Sequence, residues 1–253
     1  MKKNTKALTG LLLALMVVYA NGCGNNNGKT TGNTVNETTN ENVHGYVDLG
    51  LPSGTLWATC NVGANAPEEY GDYFAWGETK TKQSYWYDNY NYWKTDDSGE
   101  NKLTKYCGDA EYGYDGYTDA LTVLLPEDDA ATVNWGSDWC MPTEEQWEEL
   151  IQHTTTEMKT INGVSGRLFT ASNGNSIFLP SASVCQDEPA SEFDYGSYWS
   201  SSLIGYEPHS AWIYYSYTGE GYYLDDEYYF DESYKDEIMR SFGLSVRPVR
   251  SSR

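Results

Sequence analysis

Apolar and polar positions beyond residue 43 fall in short alternating runs broken by glycine and proline, with few helical stripes. Between residues 44 and 64, β-favouring residues are interrupted by Gly50 and by Pro52-Ser53-Gly54, which predicts a hairpin. The stretch EEYGDYFAWGE adds another short strand. Residues 79 to 118, including SYWYDNYNYW and EYGYDGYTD, keep neither a helical nor a strand period and read as long loops. Two helices are predicted. In residues 125 to 136, Pro126 suits a first helical position, and Glu127, Asp128 and Asp129 place negative charge at the positive end of the dipole. In WCMPTEEQWEEL, Thr143 and Gln146 have the spacing of a capping box. Trp147, Leu150 and Ile151 then form one apolar face, while Glu144, Glu145, Glu148 and Glu149 read as its solvated surface. The rest is mostly β. GRLFTAS and SIFLPSAS flank Asn173-Gly174-Asn175, a hairpin signal, and SYWSSSL supplies a further strand. AWIYYSY and GYYLDDEYY flank Thr218-Gly219-Glu220, and in SFGLSVRPVR alternation puts Phe242, Leu244 and Val246 on one buried face. No period of 20 to 50 residues recurs. Early helices and a late antiparallel sheet predict an α+β domain.

Composition changes this picture at the N-terminus. MKKNTKALTGLLLALMVVYANGC has a basic start, an apolar run too short to span a membrane, and small residues before Cys23, the layout of a secretory signal over residues 1 to 22. Ala20-Asn21-Gly22-Cys23 resembles the bacterial lipobox, which makes Cys23 the expected lipidated N-terminus; simple secretion is the alternative. Residues 23 to 42 are rich in Asn, Thr and Gly and read as a disordered tether, leaving residues 43 to 253 as the folded head. The chain carries 16 Lys and Arg against 37 Asp and Glu, a formal charge of −21. Such a surface repels phosphate backbones and anionic lipid, so nucleic acid is excluded as a partner, and membrane attachment is expected through the N-terminal lipid only. The expected location is the cell envelope, at the outer membrane on its surface or periplasmic face.

YVDLGLPSGTLWATCNVGA, EEYGDYFAWGET, LTKYC, DDAATVNWGSDWCMPTEEQWEELI, GNSIFLPSAS, YWSSSL and SVRPVR, in that order, resemble the Fibrobacter succinogenes major paralogous domain family of secreted proteins. That family is similar to the formylglycine-generating sulfatase-modifying factors. The resemblance therefore implies a C-type-lectin-like head with two short helices, a twisted antiparallel sheet and long loops. The related enzymes bind copper through a late pair of cysteines. This chain has none after Cys185, so their activity is not carried over.

An exported set of four cysteines, Cys60, Cys107, Cys140 and Cys185, reads as a disulfide set with three connectivities open. Cys140 and Cys185 both stand where the family commonly has other residues. That departure favours Cys140 with Cys185 and Cys60 with Cys107. The three histidines, His44, His153 and His209, and the absence of CxxC disfavour a zinc site, so neither metal nor cofactor is expected. Glu207-Pro208-His209 is a superficial match to the calcium-and-sugar tripeptide of lectins, and the acidic run over residues 225 to 237 lacks EF-hand spacing.

The tyrosine-rich C-terminal half offers candidate chemistry of another kind. Trp199, Trp212, Tyr214, Tyr215, Tyr222 and Tyr223, interleaved with small polar residues, are the expected ligand-binding surface, because exposed tyrosines lose little entropy on binding. The competing reading is that tyrosine is simply a good strand residue. The expectation is a non-enzymatic binding protein for an extracellular glycan or protein. A structural component of an envelope or appendage and a hydrolase of surface glycans or proteins are the alternatives.

Overall fold

The computed structural model describes residues 44–186, 195–204, 210–217, 222–224, 227–229 and 234–251. The expected signal, lipidated Cys23 and tether lie outside these residues, as does His209. No helix among them is long and apolar enough to cross a membrane.

β1 (Tyr46–Asp48) and β2 (Thr55–Ala58) form the expected first hairpin, with Val47 opposite Trp57. β3 (Tyr73–Phe74) follows, and the presumed loops contain a small hairpin of β4 (Trp93–Thr95) and β5 (Asn101–Leu103). The first predicted helix is divided. Pro126–Asp128 is a 3₁₀ turn, and the α-helix α1 is only Ala130–Trp135. Asp129 breaks the run because its extended backbone lets its carboxylate cap Thr132 N at 2.9 Å.

Helix α2 (Glu144–His153) keeps the predicted design. Gln146 N donates to Thr143 Oγ1 at 3.3 Å, and Thr143 N donates to Gln146 Oε1 at 2.9 Å, so two otherwise orphaned amides are satisfied. Trp147 and Leu150 are buried, and Ile151 is half-buried. The carboxylate face is not all solvated: Glu149 accepts from Ser53 N at 2.7 Å and Ser53 Oγ at 2.5 Å, fastening the first hairpin's turn to the helix.

β6 (Thr154–Ile161), β7 (Val164–Ala171) and β8 (Ser176–Pro180) make a meander of order β6-β7-β8. Asn173-Gly174-Asn175 does turn β7 into β8, with Gly174 at φ +85°. β6 and its turn, Asn162-Gly163, complete the motif; both turn residues have positive φ, as a two-residue hairpin loop requires.

β9 (Tyr195–Leu203), β10 (Ser210–Tyr217), β11 (Tyr222–Leu224), β12 (Glu227–Tyr229), β13 (Tyr234–Met239), β14 (Leu244–Ser245) and β15 (Val249–Ser251) complete the chain. The central sheet has order β13-β10-β9-β14-β3, and β1-β2-β15 joins the two ends of the head. On either side of Thr218-Gly219-Glu220, β10 pairs with β13 and β9, while β11 pairs with β12. The architecture is α+β, mostly antiparallel sheet with few, short helices.

β9 is covered on both faces. Trp199 packs in a cluster with Phe74, Trp76, Trp139 and Leu244. Tyr198, on the opposite face, packs with Trp57, Trp147, Phe169 and Tyr214. The expectation of a single buried face in the closing segment also needs correction, because Ser245 and Arg247 are as buried as Leu244 and Val246. Arg247 is satisfied there by neutral oxygens. Its Nε donates to Asn61 Oδ1 at 2.7 Å, one Nη to the carbonyls of Ala58 and Thr59 at 3.1 Å each, and the other Nη to the Phe178 carbonyl at 3.0 Å. Burial pulls its pKa down to about 10.

Buried phenols also fasten backbone. Tyr90 donates to the Trp76 carbonyl at 2.8 Å, Tyr198 to that of Pro180 at 2.6 Å, Tyr73 to that of Ala182 at 2.5 Å, and Tyr85 to that of Tyr73. Burial raises all four pKa values, that of Tyr85 to about 12.

Arg247→Met would leave the four acceptors inside without their donor. The expected loss is on the order of 3 kcal/mol or more, read as a lower urea midpoint at unchanged slope; a shift under a few tenths would contradict the role given to this side chain. The phenols give an alkaline prediction. Their folded pKa values lie above the unfolded value, so their contribution is full below pH ~10 and is lost as pH rises through the folded values. The melting temperature should fall steeply above that pH. Ionisation of all tyrosines near pH ~10 with the fold intact would contradict it.

Candidate functional site

The residues predicted to bind ligand do not form one exposed surface. Trp199 is fully buried, its indole donating to the Phe74 carbonyl at 2.7 Å. Tyr214 is also buried and stacks on Trp147, with ring centroids 4.6 Å apart and planes 11° from parallel. Both are corrected from ligand platform to core. The reason is that β10 lies inside the sheet, flanked by β9 and β13, and contributes to the layer beneath α2. Trp212 and Tyr215 lie on β10, opposite Glu237 and Tyr234, and Tyr222 and Tyr223 lie on β11, opposite Tyr229 and Tyr228. The side chains of these four lie outside the described residues.

The disulfide set is corrected as well. Cys60 is disulfide-bonded, but Cys107, Cys140 and Cys185 are not in disulfides, so neither expected pair forms. Cys107 donates to the Asp109 carbonyl at 3.0 Å. Cys140 bridges to Val249 at the end of the β1-β2-β15 sheet. Cys185 instead bridges to Gly243 and packs with Tyr73, Tyr85 and Tyr90. The two are held on different pieces of backbone. Among the described residues no cluster of three His, Cys, Asp or Glu could hold a metal.

Exposed aromatic surface occurs elsewhere, in the segment read as a loop. In SYWYDNYNYW, Tyr85 and Tyr90 are buried, but Trp86 and Tyr87 are 41% and 38% exposed. A 3₁₀ turn over Tyr87–Asn89 produces this split. Asn89 closes the turn: its Oδ1 accepts from Trp86 N at 3.2 Å, and its Nδ2 donates to the Ser84 carbonyl at 2.9 Å and to Ser84 Oγ at 3.2 Å. The Tyr87 ring leans on Trp93 with centroids 3.7 Å apart, and Trp93 meets Tyr90 edge-on at 5.1 Å.

The ground under this ledge is polar and tightly connected. Glu78 is buried; its Oε1 accepts from Asn91 N at 2.8 Å and from Lys82 Nζ at 2.7 Å. Lys82 also donates to the Asn89 carbonyl at 2.6 Å, so one ion pair grips the turn from below. Gly243 lies against the Tyr85 ring, where an added Cβ would come within 2.7 Å of ring atoms. Any larger residue there would push Tyr85, and the ledge with it, outward.

Beyond Tyr90, Tyr92 donates to Asp128 Oδ1 at 2.6 Å. Asp128 Oδ2 accepts from Lys105 Nζ at 2.5 Å and from the Tyr106 hydroxyl. Burial alone would raise the Asp128 pKa, but these three donors and the lysine charge outweigh it and hold the carboxyl below its ordinary value. The phenols respond oppositely. Burial first, and the Asp128 carboxylate second, raise the Tyr92 and Tyr106 pKa values. Asp128 therefore acts as a fixed anion joining the 92–106 segment to the start of α1. Among the carboxyls, burial raises Asp72 and Asp129; the latter is committed to capping Thr132 N and to Met141 N at 2.8 Å.

The arrangement presents an indole and a phenol side by side, with Asp88, Asn89 and Asn91 exposed around them, on a turn whose backbone is held at both ends. Rigid aromatic rings bordered by hydrogen-bonding groups suit an amphipathic ligand and lose little freedom on binding. Sequence reading missed this pair because six aromatics in nine positions carry no period. The one available signal was Asn89, three residues after Trp86, a side chain suited to closing a turn. Comparison with protein-family models finds no match, and comparisons with curated proteins and with solved structures find none either.

Proposed function

We propose that the chain is an exported, lipid-anchored protein of the cell envelope that binds an extracellular glycan on the Trp86–Tyr87 ledge. The observation that carries the proposal is the exposure of these two rings on a turn pinned by Asn89, Lys82 and Glu78. A pyranose has apolar C–H faces and hydroxyl edges. The faces suit the rings, and the edges suit the surrounding amides and carboxylate. The formal charge of −21 disfavours polyanionic sugars and favours neutral or amino-bearing ones.

Export and anchoring rest on the signal-like run and the lipobox ending at Cys23. Membership of the Fibrobacter succinogenes major paralogous domain family, and with it a C-type-lectin-like head, rests on the ordered motifs from YVDLGLPSGTLWATCNVGA to SVRPVR. The α+β architecture, with two short helices against antiparallel sheet, supports that reading.

A glycan-array screen of the protein, with and without calcium, tests the proposal when run beside a Trp86→Ala/Tyr87→Ala variant and a Tyr222→Ala/Tyr223→Ala variant. Both ledge side chains lie at the surface, so the first variant should stay folded, with a small fall in melting temperature from the lost Tyr87–Trp93 contact. It should bind its glycan about tenfold more weakly or worse, the loss of roughly two aromatic contacts. Loss confined to the second variant would move the site to the C-terminal tyrosines. A folded protein that binds no glycan would overturn the proposal in favour of a protein ligand or an assembly role.

A further inference from the structure

Among the described residues, β6 is the unpaired edge of the β6-β7-β8 sheet, and its composition gives that edge a defined complement. Thr155 and residues 157 to 160 are exposed, with Met158 at 41%. Alternating residues of an edge strand direct their amides and carbonyls either to the neighbouring strand or outward. The parity here is settled on β7. The Ser165 carbonyl accepts from Ser181 N at 2.9 Å, and Ala171 N donates to the Asn175 carbonyl, so the odd-numbered residues of β7 face the β8 side. Its even-numbered residues therefore face β6. The register, with Ile161 opposite Val164, Lys159 opposite Gly166 and Glu157 opposite Leu168, makes the odd residues of β6 the bonded ones. The backbone groups of Thr156, Met158 and Thr160 are left on the open edge.

We propose that this edge pairs with the same edge of a second copy, antiparallel and with its two-fold axis at Met158. In that register Met158 faces Met158 of the second copy as a hydrogen-bonded pair, and Thr156 faces Thr160. Glu157 then lies opposite Lys159 of the second copy, and Lys159 opposite its Glu157. These fall at non-hydrogen-bonded positions, where cross-strand side chains approach most closely. Two opposite-charge pairs thus form on one face of the joined strands, and the exposed methionines meet on the other. Shifting the register by two residues in either direction separates the charges.

Charge on an edge ordinarily blocks strand addition. A Glu-Met-Lys triplet blocks it selectively, because it is complementary to its own antiparallel copy and mismatched to most other strands. The product is an isologous interface, one continuous sheet running through both heads. A single strand pair buries little area, so the association is weak in solution. A shared membrane anchor would raise the effective concentration.

Sedimentation velocity on the purified protein, from ~1 µM to ~1 mM, provides the test. The wild type should shift towards dimer across this range. Glu157→Lys alone and Lys159→Glu alone place like charges across the axis, and each should weaken association about tenfold or more. An equimolar mixture of these two variants restores both opposite-charge pairs and should dimerise again, as should the protein carrying both substitutions. All the exchanged side chains are exposed, so unchanged melting temperatures are expected. A wild type that stays monomeric to the top of the range would overturn the proposal. So would a dimer indifferent to either single substitution, or a mixture that fails to recover.

Discussion

Arg247 holds the head together from four places at once. Its guanidinium reaches the Asn61 side chain, the carbonyls of Ala58 and Thr59 at the end of β2, and the Phe178 carbonyl in β8. A buried guanidinium that finds only neutral oxygens carries a high desolvation cost. It is tolerated because most of its fork of donors is met in one rigid geometry. The constraint propagates: β15, two residues further on, is thereby seated against β2, and the β6-β7-β8 meander is seated against the same hairpin. Arg250 extends the junction, with its guanidinium between the rings of Tyr46 and Trp139 at 5.3 and 5.4 Å.

A second device replaces ladders with side chains. Between β3 and α1 there is little regular structure, yet Tyr85, Tyr90, Tyr106 and Asp128 are buried within it, because phenols and carboxylates bond backbone directly. Tyr85, Tyr90 and Tyr92 reach back to residues 73 to 77 and to Asp128, while Glu78 and Lys82 grip the turn at Asn89. Backbone groups that would otherwise need a strand partner are satisfied in this way. The result is a rigid irregular surface, on which Trp86 and Tyr87 project without a scaffold of their own. Tyr73, Tyr85, Tyr90, Tyr92, Tyr106 and Tyr198 are thus accounted for by fastening rather than by exposure.

The same two devices decide what was legible in the sequence. Elements set by local chemistry could be read: the capping box of Thr143 and Gln146 and the Asn173-Gly174-Asn175 turn satisfy their own backbone within a few residues, and Gly54 N closes the Pro52-Ser53-Gly54 turn on the Leu51 carbonyl while Ser53 N goes to the distant Glu149. Asn162-Gly163 carries an equally local signal for the β6–β7 hairpin. Features set by distant partners could not be read. Nothing near Arg247 announces that its carbonyl partners lie far away in the chain. The strand WIYYSY has the same sequence whether it borders solvent or lies between β9 and β13, so Tyr214 looked like a platform and is core. Cysteine number suggested pairs, but pairing depends on where strands place the thiols, and Cys140 and Cys185 bridge to Val249 and Gly243 separately.

On the proposed reading, the protein separates frame from contact surface. The frame absorbs the large aromatics, among them Trp57, Trp76, Trp147 and Trp199, leaving a small ledge with a rigid base. The most direct measurement of that division is an NMR titration of the indole N–H resonances of the nine tryptophans with the glycan found to bind. The account predicts that the Trp86 resonance shifts first and furthest, with Trp93 following through its contact with Tyr87, while Trp57, Trp76, Trp147 and Trp199 stay in place. A titration that moves Trp212 and leaves Trp86 untouched would contradict it.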